Sequence, residues 1–168
     1  MIRMLGACCI VTGCGGFGFA MAAANRREEA ELVRLIAALE FMSCELSYRM
    51  TPLSVLCRRA AQDSGGLVRD FLAGLAQALE GQREPEVRDC AALLLDTLQP
   101  PKLLDRQLRE LGTTLGRFDL PGQLRGLEAA IRSAQEALRA HREGAADRRR
   151  SCQTLGLCAG AAMAILFL

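Results

Sequence analysis

The sequence predicts an all-α fold: an antiparallel helical bundle flanked by an N-terminal and a C-terminal transmembrane helix. Two uncharged stretches stand near the ends of the 168-residue chain. Between them, apolar residues recur at three- and four-residue spacing, which is typical of amphipathic helices. Prolines and glycines separate these segments, and short loops favour antiparallel neighbours. The predicted domains are a transmembrane helix at 1–24, a helical bundle at 25–150 and a transmembrane helix at 151–168.

The first uncharged stretch runs from Met4 to Ala24. At about 1.5 Å per helical residue it spans about 30 Å, the thickness of a bilayer's hydrocarbon core. Two other interpretations stay open. Ala22–Ala24 fit the cleavage site of a signal peptide, and Val11–Cys14 resembles the lipobox of a bacterial lipoprotein. Gly13–Gly18 matches the nucleotide loop G-x-G-x-x-G, but that loop needs a parallel sheet and the chain offers no further β segment.

The second uncharged stretch is Ser151–Leu168, and both stretches carry small residues at four-residue spacing. Such residues let transmembrane helices approach closely, although lipid-facing positions also tolerate them. The candidate membrane-packing positions are Gly16, Ala20, Gly156, Gly160 and Ala164.

The basic residues that flank the stretches predict the topology. Arg26 and Arg27 follow the first stretch, and Arg148–Arg150 precede the second. Lys and Arg collect on the cytoplasmic side of membrane proteins. We therefore expect a double-pass membrane protein whose central domain is cytoplasmic.

The central domain reads as six helical segments. The first is predicted at Glu28–Tyr48, continuous with the preceding stretch apart from a bend near Asn25. Thr51 is the expected N-cap of the second helix and Pro52 its first residue. The later segments are predicted at Leu53–Gln62, Leu67–Glu80, Pro85–Leu98 and Lys102–Leu115, and from Pro121 past His141 into the closing stretch.

Composition and motifs argue against several functions. The net charge is +2, and basic and acidic residues alternate along the helices, which does not favour nucleic-acid binding. No catalytic motif, cofactor loop or small-molecule site is recognisable. The lone His141, beside two arginines, is expected to be exposed and has no zinc-like spacing to cysteines. Cys44, Cys57 and Cys90 are expected to be buried free thiols. We expect no enzyme, no metal and no cofactor.

Two sequence strings mark predicted helix corners. The first is E-L-S-Y-R-M-T-P-L, and the second is G-T-T-L-G-R-F-D. Each would fix a turn between helices, and each could instead, or also, be a docking surface for a partner. Their defining residues are Glu45, Tyr48, Arg49, Thr51, Pro52 and Leu53 in the first, and Gly112, Leu115, Gly116, Arg117 and Asp119 in the second.

The order and spacing of these strings, together with the two end stretches, resemble the stage III sporulation protein AB family along the whole chain. That resemblance implies a non-enzymatic scaffold subunit of the complex that joins mother cell and forespore and is needed for late forespore development. It implies a location on the mother-cell side of the outer forespore membrane. It also implies sister proteins as partners, including a cytoplasmic AA ATPase, and a domain like that of type II secretion platform proteins. The alternative is a membrane-anchored or lipoprotein-like regulatory adaptor without a channel role.

Overall fold

Six α-helices make up almost all of the part of the chain that the structure describes. This computed structural model describes the backbone of residues 2–81, 86–115 and 120–167, and the side chains of residues 23–81, 86–115 and 120–145. No strand occurs within these ranges, so the predicted all-α class is confirmed. The helices are α1 Ile2–Arg49, α2 Leu53–Asp63, α3 Gly66–Glu80, α4 Val87–Leu98, α5 Lys102–Thr114 and α6 Leu120–Phe167.

The first and last helices are the long ones, with 48 residues each. As predicted, α1 continues without interruption from the first uncharged stretch through Asn25 into the bundle. In the same way α6 passes His141 and Gly144 and continues into the closing stretch. Each uncharged stretch is thus joined to the domain by helical backbone and not by a loop.

The four short helices begin and end within about two residues of their predicted bounds, because glycines and prolines interrupt the helical backbone where the sequence predicts. Gly65 and Gly66 separate α2 from α3, and Gly66 has a φ of 64°, which glycine adopts without the steric cost of a Cβ. Gln99 stands in the left-handed region at the end of α4, and Pro100 and Pro101 then prevent further helix.

The apolar faces predicted from the helical period form the core. All six helices contribute to it, and α1 packs against α2, α3, α5 and α6. The largest buried side chains are Phe71, Leu32, Leu35, Leu39, Met42, Leu56, Leu72, Leu75, Leu95, Leu104, Leu108 and Leu111. Burying such side chains stabilises a domain by about 1.5–3 kcal/mol each before the entropic cost of folding is subtracted.

Contacts between neighbouring helices show that they run antiparallel. Along α5, Glu110 contacts Ser133 of α6, and Thr114, further on, lies against the earlier residue Gly126. Along α4 and α5 the same reversal links Asp96 with Arg109 and Ala91 with Gly112. The predicted antiparallel packing is therefore present in this part of the bundle.

Within the part of the chain that the structure describes, no helix combines the length and apolar character needed to cross a membrane. The five candidate membrane-packing positions are Gly16, Ala20, Gly156, Gly160 and Ala164, and they lie outside the residues whose side chains are described.

Candidate functional site

The first corner string forms a tight connection between α1 and α2. Helix α1 ends at Arg49, and Met50 adopts a left-handed backbone with a φ of 48°. A left-handed residue just after a helix reverses the chain, but for a residue with a Cβ it costs roughly 1–2 kcal/mol. Pro52 follows with φ −55° and ψ 143°, and its carbonyl accepts the first helical hydrogen bond, from Leu56 N at 2.9 Å.

The prediction that Thr51 caps α2 is wrong, because the capping position is Pro52, which makes no side-chain cap hydrogen bond. The physical reason is the proline itself. Its φ of −55° would suit a helix, but its ψ of 143° is extended, so the helix begins one residue later than predicted, at Leu53. Pro52 fixes the start of α2 through its backbone angle alone.

Glu45 links the two helices at this corner. Arg59 on α2 donates to its carboxylate at 2.9 Å, and Arg49, one turn further along α1, lies 3.5 Å from it. Leu53 packs against the core beneath them. Exposed ion pairs of this kind stabilise by only about 0–1 kcal/mol each, so their main effect is to orient the arginines.

The corner also exposes two large side chains. Tyr48 is 85% exposed and Met50 is 73% exposed, which are the highest values among the large hydrophobic side chains that the structure describes. The hydrophobic effect opposes this placement, and neither side chain is needed to fill the core. The turn therefore presents an aromatic ring and a flexible thioether to solvent on a backbone that is itself held fixed.

In the second corner string the structure describes only the beginning. Leu115 is buried at the end of α5, and Gly112 lies against α4. A Cβ placed on Gly112 would come within 2.6 Å of the Ala91 Cβ, so this glycine allows α4 and α5 to approach closely. Gly116, Arg117 and Asp119 lie outside the described residues.

The described part of the second string, residues 112–115, lies at the same end of the bundle as the first corner. Helix α5 runs antiparallel to α6. Glu29 contacts Arg142, and the buried residues described on α1 follow Glu29 whereas those on α6 precede Arg142, so α6 also runs antiparallel to α1. The first corner and the end of α5 are thus remote from the contact between Glu29 and Arg142.

At that other end, α1 and α6 meet in a polar cluster that the sequence did not predict. Nε2 of His141 lies 3.4 Å from the carbonyl oxygen of Asn25, and Nδ1 lies 4.0 Å from a carboxylate oxygen of Glu28. Arg142 Nε donates to Glu29 at 2.7 Å. We call these five residues the junction cluster.

The prediction that His141 is exposed is wrong, since its side chain is only 9% exposed. The neighbouring arginines suggested a solvated face. The helical period would have given the correct answer, because Ala134, Leu138 and His141 follow one another at four- and three-residue spacing on the face that packs against α1.

The prediction that the three cysteines of the central domain are buried is correct for two of them. Cys57 and Cys90 are buried as expected, whereas Cys44 is exposed. Burial raises the pKa of the Cys57 thiol to about 12, so it is not a nucleophile near neutral pH. The cysteines do not form a metal site either: among the described residues, no group of three or more His, Cys, Asp and Glu side chains is arranged to hold a metal ion.

Known proteins provide a family for this fold. The sequence profile described as "Stage III sporulation protein AB" matches residues 3–168. The stage III sporulation protein AB of Bacillus subtilis (strain 168) is 23% identical over 171 residues, which cover 100% of each protein. A solved structure of a stage III sporulation protein AB, 18% identical, has the same fold with a TM-score of 0.60 and covers 69% of this chain and 94% of its own. The chain described above belongs to the stage III sporulation protein AB family.

Proposed function

We propose that this protein is a non-enzymatic membrane scaffold subunit of the sporulation stage III complex between mother cell and forespore. In this proposal residues 1–24 and 151–168 span the outer forespore membrane, and residues 25–150 form a platform in the mother-cell cytoplasm. Family membership supports the sporulation role. The junction cluster is the single observation that carries the scaffold arrangement.

Among the residues whose side chains are described, the core residues of α1 lie after Glu29, and those of α6 lie before His141. Both uncharged stretches therefore continue on the other side of the cluster, from two helices that are in contact there. Two apolar segments that leave a polar domain side by side can enter one bilayer together, which a double-pass anchor requires.

We propose further that the exposed corner of α1 and α2 receives the cytoplasmic AA ATPase. Three features support this surface: Tyr48 and Met50 are exposed, Arg49 is oriented by Glu45, and the corner lies far from the junction cluster. Tyrosine and arginine are enriched among the residues that dominate binding energy at interfaces. A surface at this end of the platform would face the cytoplasm and remain free of lipid.

Membrane integration is tested first. The full chain in sporulating cells should stay in the membrane during alkaline carbonate extraction and should keep its original N-terminus. A mature protein that begins at Cys14 or Asn25 would show a lipoprotein or a cleaved signal peptide instead, and the double-pass arrangement would be wrong.

Docking is tested with matched surface variants. Tyr48→Ala combined with Arg49→Glu should leave the helical content unchanged, because exposed substitutions usually alter stability by under about 0.5 kcal/mol. The combination should greatly reduce copurification of the ATPase and block sporulation after engulfment. Leu93→Ser is the control, since Leu93 is a large apolar residue that is 57% exposed on α4. Normal recruitment by the corner variant would show that the ATPase docks elsewhere; Arg117→Glu then tests the second corner.

A third experiment tests whether the platform is coupled rigidly to the membrane. A long Gly-Ser insertion at Gly144 would replace continuous helix by flexible chain, so it should block sporulation if position or force is transmitted through α6. The same insertion after Gly81, in the connection between α3 and α4, is the control. Normal sporulation with the Gly144 insertion would rule out rigid coupling through this helix.

A further inference from the structure

A cleft of about 450 Å³ opens along α1, just after the first uncharged stretch. It lies between α1, the start of α3 and the residue before α5. The charged residues of its lining are Arg27, Glu28, Glu31 and Arg34, and its apolar residues include Leu67 and Pro101. The arginines and the glutamates balance each other, so the cleft suits a ligand that carries no net charge.

Glu31 has an unused acceptor at this cleft. Arg34 donates to its Oε1 at 2.6 Å, but its Oε2 is buried and has no hydrogen-bond partner among the described residues. An ionised carboxylate can accept about four hydrogen bonds, and leaving a buried oxygen unpaired is costly. Gly66 closes the inner side of the group, because a Cβ at that position would overlap Oε1. The chemistry that completes this carboxylate is a hydrogen-bond donor, preferably a cationic one.

Arg27 is the cation of the cleft that lacks a carboxylate partner. It is exposed, and it forms no ion pair with any residue whose side chain is described. The other charges are engaged, since Arg34 is paired with Glu31. Glu28 lies 4.0 Å from His141. Because Arg27 and Glu31 are four residues apart on one helix, their Cβ atoms are about 5–6 Å apart, so an unpaired cation and an unpaired acceptor are neighbours.

The position of the cleft along α1 sets its depth relative to a bilayer, given the proposed transmembrane placement of residues 1–24. Ala24 is the last residue of the uncharged stretch and also lines the cleft. At the helical rise, Arg27 lies about 4.5 Å beyond Ala24, within a headgroup layer that is about 5–7 Å thick. Glu31 lies one turn further out, and its side chain leans back towards the helix N-terminus and hence towards the lipid.

We propose that this cleft binds the headgroup of phosphatidylethanolamine. Arg27 donates to the phosphate, and the carboxylate of Glu31 accepts from the ammonium group. The headgroup is neutral overall, as the lining is, and its phosphate lies closer to the hydrocarbon than its ammonium, which is the order of Arg27 and Glu31 along α1. The Glu31 side chain is 12% exposed and the χ3 torsion of glutamate is broad, so a rotation of the carboxylate turns Oε2 towards the ligand.

Phosphatidylcholine is the matched comparison, because it carries the same two charges but has methyl groups in place of the ammonium hydrogens. The test uses the full chain in vesicles with equal amounts of the two lipids and the photo-crosslinking residue benzoylphenylalanine in place of Pro101. We expect about fivefold more adduct with phosphatidylethanolamine, the factor that one net hydrogen bond typically contributes. Both adducts come from the same protein molecules, so their ratio does not depend on the folded fraction.

Variants separate the two contacts. Glu31→Gln keeps an oxygen for Arg34 and replaces the unpaired acceptor by an amide donor, so the adduct ratio should fall to about one. Glu128→Gln, at an exposed position further along the bundle, should leave the ratio unchanged. Arg27→Gln should lower both adducts by a similar factor, because both lipids carry the phosphate. A ratio that survives Glu31→Gln would overturn the proposal, and far-UV circular dichroism verifies that each variant is folded.

The same crosslinker at Met50 is the positional control, because Met50 lies about 39 Å along α1 from Ala24 and should give no lipid adduct. If carbonate releases the chain from the vesicles, the transmembrane placement is wrong and the headgroup site falls with it. If the chain stays in the membrane but the two lipids react equally at Pro101, only the headgroup site is wrong.

Discussion

Gly112→Ala tests whether the close approach of α4 and α5 is a fixed part of the platform. The added methyl would lie 2.6 Å from the Ala91 Cβ, whereas carbon atoms in favourable contact are about 3.5–4.0 Å apart. The helices would have to separate by about 1 Å, and overpacking of this kind costs about 1–3 kcal/mol. Alanine gains about 1 kcal/mol over glycine in helix propensity, so we expect a net loss of roughly 0–2 kcal/mol.

A double-mutant cycle with Ala91 isolates the steric contribution to the stability loss of Gly112→Ala. Ala91→Gly alone should cost about 2 kcal/mol, from helix propensity and one lost buried methyl. The double variant moves the methyl from α4 to α5, so its stability should return to within about 0.5 kcal/mol of the parent protein. The expected coupling is therefore about 2–4 kcal/mol in favour of the double variant.

The assay is urea unfolding of the domain comprising residues 26–150, followed by far-UV circular dichroism. Additivity within about 0.5 kcal/mol would mean that the two positions do not contact each other, and the packing argument for Gly112 would be refuted. The coupling would show that at least this part of the second corner string is structural. It would leave the exposed residues of the first corner as the stronger candidates for docking.

Three further predictions concern the same domain. Residues 26–150 made without the end stretches should be soluble and predominantly helical, and a circular dichroism spectrum dominated by strand would contradict this. Leu108→Asp should unfold the domain, because a buried unpaired carboxylate costs several kcal/mol against a typical total stability of about 5–15, whereas Leu93→Asp should remain folded. In the folded domain Cys44 should react with iodoacetamide near pH 8 and Cys57 should not; a reactive Cys57 would show that the core opens. Because burial raises the pKa of Cys57 from 9.0 to about 12, its contribution to stability is complete below pH 9 and should fall as the pH rises towards 12.

Much of the fold was predictable because the apolar residues that recur at three- and four-residue spacing in the sequence are the residues that pack in the core. Leu32, Leu39 and Leu46 on α1 fall on one helical face, and all three are buried. Gly65 and Pro100 interrupt the pattern where the helices are interrupted. Local chemistry and tertiary packing therefore lead to the same helix bounds.

The residues that escaped prediction are those for which a neighbour in space overrides the local pattern. His141 looks solvated beside Arg142, yet α1 covers it. Cys44 precedes Glu45 on α1 but falls between the buried face and the charged face, and no other helix covers it. The left-handed backbone of Met50 could not be predicted, because this conformation is usually marked by glycine or asparagine and the residue here is methionine.

Of the candidate site, the sequence located the corner and the structure shows which side chains are available there. Thr51 and Leu53 looked equivalent to Tyr48 as members of one string. Leu53 proves to be part of the packing and Thr51 is half-buried, whereas Tyr48 projects into solvent. The sequence alone does not show which residues of such a string are buried and which are exposed, because their burial depends on how α2 packs against α1.

The stiffness of the proposed membrane connection follows from comparing the interactions at the junction cluster. The Arg142–Glu29 pair is exposed, and such pairs stabilise by only about 0–1 kcal/mol. His141 is shielded, and the two polar contacts that it makes among the described residues are long, at 3.4 and 4.0 Å. The helical backbone, in contrast, contributes one hydrogen bond per residue through the whole junction in both α1 and α6. A single glycine such as Gly144 weakens a helix by about 1 kcal/mol and does not interrupt it. Displacement of the platform would therefore be transmitted by the two continuous helices, and the polar contacts between them would only keep the helices in register.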